Sequence, residues 1–113
     1  MIGEHLIIDG IFKPPLGEKE IERILLGLPP RINMHILLGP FVVRGEPENP
    51  GWTGFVIIDK SHIAIHTFHE TNSVAVDIFS CKPFDSETVL EYLKERMRIE
   101  KMNVQLLHRT AEK

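Results

Sequence analysis

The chain carries a single cysteine in 113 residues. No disulfide can therefore close within it, and any zinc site would draw mostly on histidines and carboxylates. It lacks an excess of positive charge: 13 Lys and Arg stand against 16 Asp and Glu, a net charge of −3. The basic residues are scattered or interleaved with acids, as in EYLKERMRIEK (91–101), which leaves no electrostatic footprint for nucleic acid. Long apolar runs are missing too. The longest, ILLGPFVV (36–43), falls far short of the roughly 20 residues that cross a bilayer. The opening MIGEHLII has no basic stretch of the kind that starts a signal peptide, so a cytoplasmic protein without a membrane partner is expected. Internal repeats, low-complexity segments, domain linkers and a G-x-S-x-G nucleophile elbow are likewise absent from the sequence.

What is present is the balance of a folded protein: 42% apolar and 26% charged residues. The length predicts one domain over 1–113 with one core, small enough that a substrate site could need a second subunit. HLIIDGIF (5–12) reads as a first strand. GEKEIERILLGL places Ile21, Ile24, Leu25 and Leu28 at helical spacing, with Pro29 and Pro30 expected to end the helix. NMHILLGPFVV predicts a strand bent near Gly39 and Pro40, followed by a turn-rich loop at 44–52. TGFVIID and SHIAIHTF are strand-like runs that meet in a tight turn at Asp59 to Ser61. HETN (69–72) then turns the chain into SVAVDIFSC, with Val74, Val76, Ile78 and Ser80 on one face and Ala75, Asp77, Phe79 and Cys81 on the other. Asp85 caps a second helix, Phe84 is placed to staple onto Val89, and Val89, Leu90, Leu93 and Met97 form its buried stripe. NVQLLH is the last strand. The order β-α-β-β-β-β-α-β predicts an α+β fold, a two-layer sandwich of an antiparallel sheet with helices packed on one face.

Chemistry concentrates in KSHIAIH (60–66) and in the cysteine that ends the next strand. Alternation puts His62, Ala64 and His66 on one face and Ser61, Ile63 and Ile65 on the other, with Ser61 at the edge where a turn can reorient it. A single metal ion held by His62, His66 and His69 is disfavoured, because four strand residues span about 13 Å and zinc ligands lie about 2 Å from the ion. A hydrolytic Ser and His pair has no identifiable acidic partner. On periodicity alone, a plain reading also stays open, with half-buried strand histidines, a core Cys81 and a solvated Asp77.

SHIAIHTF, then Glu70, then AVDIFSC resembles the core of the small prokaryotic S-adenosylmethionine decarboxylase proenzymes, without a gap from about Gly54 to Cys81. Weaker similarity reaches GEHLIID and LEYLKERM. The resemblance implies self-cleavage between Lys60 and Ser61, with Ser61 converted into a covalent pyruvoyl group. That group acts as the electron sink for decarboxylating S-adenosylmethionine on the way to spermidine and other polyamines. It further implies that His66 removes a proton from the Ser61 Cα during processing. Thr53 stands where the family has a processing serine, and Cys81 where it has the thiol that returns a proton to substrate. Glu70, Phe41, Trp52 and Phe68 are implied substrate contacts, the rings suiting an adenine and a sulfonium. A homodimer of processed subunits is implied as well, with no bound metal.

The sequence departs from the family where Lys60 replaces the glutamate before the cleaved bond, where Phe68 and His69 replace tryptophan and proline, and where Lys82 replaces a glycine after Cys81. Lys60 would weaken attraction for a cationic substrate. Two alternatives therefore stand beside the first reading: a pyruvoyl decarboxylase of arginine or ornithine, and an unprocessed, non-catalytic homologue that binds or regulates a partner.

Overall fold

The computed structural model describes residues 1–112. Six strands and two helices follow in the order β1 (Gly3–Ile11), α1 (Glu18–Arg31), β2 (Ile36–Arg44), β3 (Trp52–Ile58), β4 (Ser61–Phe68), β5 (Ser73–Ser80), α2 (Ser86–Met97) and β6 (Lys101–Arg109). The strands form one sheet in the order β2-β3-β4-β5-β1-β6, and every neighbouring pair is antiparallel. This is the expected two-layer α+β sandwich.

Both helices pack on one face of the sheet. Val56, Ile58, Ile63, Ile65, Val74, Val76 and Ile78 point into that layer and meet Ile21, Ile24, Leu25 and Leu28 of α1 and Val89, Leu93 and Met97 of α2 in a single core. Period-two alternation in the strands and helical spacing in α1 and α2 put these aliphatic side chains on the facing surfaces. Gly54 lets α1 come close: a Cβ there would sit 2.7 Å from Ile21 Cγ2 and 2.8 Å from Leu25 Cδ1. The Asp85 side chain accepts from the Glu87 N–H at the start of α2, and Phe84 packs against the core that contains Val89. Leu90 is only partly buried.

One expectation is corrected. Helix α1 does not stop before Pro29 and Pro30 but runs through both to Arg31. Proline lacks a donor, yet its carbonyl still accepts. The Pro29 carbonyl takes the Ile32 and Met34 N–H groups, and that of Pro30 takes the Asn33 N–H, so the last turn closes on the prolines themselves. The expected bend in β2 is real: its register against β3 shifts twice between Ile36 and Phe41.

Candidate active site

The β3–β4 hairpin turns in two residues, Asp59 and Lys60, with Ile58 paired to Ser61. Asp59 takes φ +42°, a left-handed conformation that Asp accepts more readily than most residues. Ser61 opens β4 on the helix-covered side with Ile63 and Ile65, and is 5% exposed. Its Oγ accepts the Cys81 N–H at 3.1 Å and lies 4.0 Å from Cys81 Sγ. Residues 61 and 81, twenty apart in sequence, meet because β4 and β5 pair antiparallel, with His62 opposite Phe79.

Thr53 and His66 meet at the other end of β4. They are register partners across β3 and β4, and Thr53 Oγ1 lies 3.0 Å from His66 Nδ1. Five residue steps along the strand separate His66 from Ser61, about 16 Å at the rise of an extended chain. Within one chain the four residues thus form two pairs at opposite ends of one strand, and His66 does not reach Ser61.

The sheet face that carries Thr53 and His66 is not covered by a helix. Phe55, His62, Ala64, Phe68, Ala75, Asp77 and Phe79 share it by alternation and register. His62 lies between two rings, 5.5 Å from Phe55 and 5.9 Å from Phe79, centroid to centroid. Burial among these groups, with the neighbouring His5 next in weight, pushes the His62 imidazole below its ordinary pKa; Asp77 opposes this and Arg109 adds to it. His5 and Asp77 pair at 3.1 Å, and the Arg109 guanidinium lies 4.9 Å from the Phe79 ring centre. Phe41, exposed on β2 opposite Phe55, also belongs to this face. A groove of about 420 Å³ runs along it past Asp9, Ile11, Phe68, Ser73, Ala75 and Asn103.

Trp52 points to the other side. Its indole lies 5.0 Å under the Arg44 guanidinium and lines a separate cavity of about 370 Å³ with Glu46, Pro47, Pro50 and His69. The rings of Phe41, Trp52 and Phe68 therefore do not converge in one chain, and Glu70 sits exposed in the β4–β5 turn. No cluster of three metal-ligating side chains occurs among the described residues, and no described helix is long and apolar enough to cross a membrane.

Sequence reasoning missed one contact beside the β3–β4 turn. Lys82 Nζ lies 3.0 Å from Asp59 Oδ2, and the ammonium beside Asp59 holds its carboxyl below the usual carboxylate range. Lys82 stood out in the sequence as a residue in a glycine's place; its partner did not, because 23 positions separate them.

The model of the S-adenosylmethionine decarboxylase family matches residues 5–110. The chain belongs to that family. A family relative, the S-adenosylmethionine decarboxylase proenzyme of Pyrococcus abyssi, is 30% identical over 115 aligned residues, covering 98% of this chain and 81% of the relative. The proenzyme of Clostridium botulinum strain Langeland is 44% identical over 55 residues, 48% of this chain, and the match spans about half (47%) of that relative's length. The crystal structure of the adenosylmethionine decarboxylase from Aquifex aeolicus shares the fold, with a TM-score of 0.80 over 99% of this chain and 93% of that one at 22% identity.

Proposed function

We propose that the chain is a cytoplasmic, pyruvoyl-dependent decarboxylase of S-adenosylmethionine that supplies the aminopropyl donor for spermidine synthesis after cleaving itself between Lys60 and Ser61. The observation that carries the reading is the sorting of Ser61 with Cys81 and Thr53 with His66 into two pairs at the two ends of β4. Sheets stack about 10 Å apart. A two-fold axis running across the strands near Ala64, between two uncovered faces, would bring the strand end that carries one subunit's Ser61 and Cys81 over the strand end that carries its partner's Thr53 and His66, with Ser61 at the turn, where cleavage of the chain frees it to reorient. The working unit is then a homodimer, and each site borrows from both chains.

The residues fit a group made from Ser61. Cleavage before it would cut a two-residue turn at the exposed Lys60 and leave the β3 and β4 ladder intact. In processing, the Ser61 hydroxyl attacks the Lys60 carbonyl carbon, the peptide C–N bond breaks, and the hydroxyl proton ends on the freed amine. Thr53 donates to the developing oxyanion. His66 takes the Ser61 Cα proton as the ester oxygen departs with the Lys60 carboxylate. The dehydroalanine left at residue 61 tautomerises to an imine, which water hydrolyses with loss of ammonia to leave a pyruvoyl group, whose carbonyl would hold the substrate amine and accept the electrons left by carbon dioxide. Cys81 returns a proton to the substrate carbon. Phe41 and Phe68 offer ring faces to the adenine and sulfonium, Trp52 bounds the 44–52 loop on the other side of the sheet, and Glu70 supplies a carboxylate for the cationic substrate.

The test is intact mass under denaturing conditions, with carbon dioxide release from carboxyl-labelled S-adenosylmethionine. Fragments 1–60 and 61–113, the second carrying a borohydride-reducible carbonyl, together with release, are expected. Ser61→Ala should stay whole and release nothing. A wild-type chain that remains a single 13.0 kDa species overturns the reading in favour of a non-catalytic binding role. Cleavage with release only from arginine or ornithine replaces the substrate.

A further inference from the structure

We infer that the Asp59–Lys82 ion pair, anchored through buried Ser80, is a clamp that positions the turn before Ser61; the inference rests on the reading that the chain cleaves itself there. Ser80 is fully buried. Its Oγ accepts the Lys82 N–H at 3.0 Å and donates to the Lys82 carbonyl at 2.6 Å, which fixes the backbone of residue 82 just beyond β5. From that fixed point the Lys82 side chain crosses to Asp59, 3.0 Å away. Asp59 is held on its other side by its N–H, which donates to the His35 carbonyl at 3.2 Å. One residue past the turn, Ser61 Oγ takes the Cys81 N–H.

The two hairpin ends are thus joined twice, once by backbone N–H to hydroxyl and once by charge. The purpose follows from the reaction. Attack by a hydroxyl on the carbonyl of the preceding residue needs one side-chain rotamer and one orientation of the Lys60–Ser61 peptide. Held geometry of this kind accounts for large rate factors in intramolecular reactions. A free two-residue turn with a left-handed Asp59 would sample other peptide orientations. Tying Asp59 to Lys82 makes the turn and the Cys81 segment move together, so Ser61 keeps one setting relative to both. Asp59 and Lys82 are positioning residues, since neither touches the bond that breaks.

The test follows the first-order rate of chain cleavage in fresh, uncleaved protein. Asp59→Asn, which keeps the shape and tolerates left-handed φ, and Lys82→Met, which keeps the stem, should each slow cleavage about tenfold. Lys82→Arg should restore it to near the wild-type rate. Because Lys82 is half exposed, salt at about 1 M should slow the wild type toward the two variants and leave them unmoved. Variants that cleave at the wild-type rate or faster, or Lys82→Arg as slow as Lys82→Met, overturn the clamp. Should the wild type never cleave, the reading of self-processing fails and the clamp is judged separately on the intact chain by hydrogen exchange. The Cys81 amide then exchanges faster in Asp59→Asn and Lys82→Met and is restored in Lys82→Arg if the clamp exists. Equal exchange in all four discards it.

Discussion

The two faces of β3, β4 and β5 come from the same residues taken alternately, yet they differ in kind. The covered face is aliphatic: Val56, Ile58, Ile63, Ile65, Val74, Val76 and Ile78 are each at most 2% exposed. The uncovered face mixes Phe55, Ala64, Ala75 and Phe79 with Thr53, His62, His66 and Asp77. Burial against the helices selects branched side chains that fill space and admits groups that need hydrogen bonds only at the strand ends where a partner is at hand, as at Ser61 and Ser80. The open face escapes that selection, and polar groups there are tied to one another, as in Thr53–His66 and His5–Asp77. One face makes the domain stable, and the other is the one proposed above to meet a second copy.

The comparison is broken most sharply at Ala64. Ala64→Glu leaves the core untouched but sets a carboxylate in the middle of the open face. The chain is expected to fold, to run as a monomer in analytical ultracentrifugation, and to lose cleavage nearly completely. A cleaving monomer would mean that one chain suffices. Ile65, its neighbour on the opposite face, gives the converse. Ile65→Ala removes a fully buried side chain and should lower unfolding free energy by about 2–5 kcal/mol in urea titrations, with the subunit contact retained in the folded fraction.

The smallest effect sharpens the difference in polarity. His62 is held below its ordinary pKa in the folded chain, so the unfolded chain binds the extra proton first. Stability is therefore expected to fall as pH drops below about 6.5, the unperturbed value. His62→Gln should flatten that slope while chain cleavage proceeds normally, and an unchanged slope would assign the acid sensitivity to other groups.

Much of the fold was legible because strict alternation in SHIAIHTF and SVAVDIFSC leaves one possible facing, and because an acidic cap opens α2 ahead of its apolar stripe. The end of α1 was misread since proline's missing donor says nothing about its carbonyl. Of the candidate site, the two pairs were nameable as residues but not as pairs. Spacing of five between Ser61 and His66 suggests proximity, whereas an extended strand sets them about 16 Å apart. The turning away of Trp52 depended on register against β4, where the Thr53 pairing to His66 fixes which side each neighbour takes.

By itself the sequence determined which side chains share a face, where the chain turns, and which residue types stand at the turn, because these follow from local backbone periodicity and turn chemistry. Only the tertiary structure decided that Cys81 lies against Ser61, that Thr53 and His66 form their own pair far from both, and that Lys82 reaches Asp59. Those contacts join residues 13 to 23 positions apart. Strand register sets them, and register is fixed by the packing of one whole face against the helices.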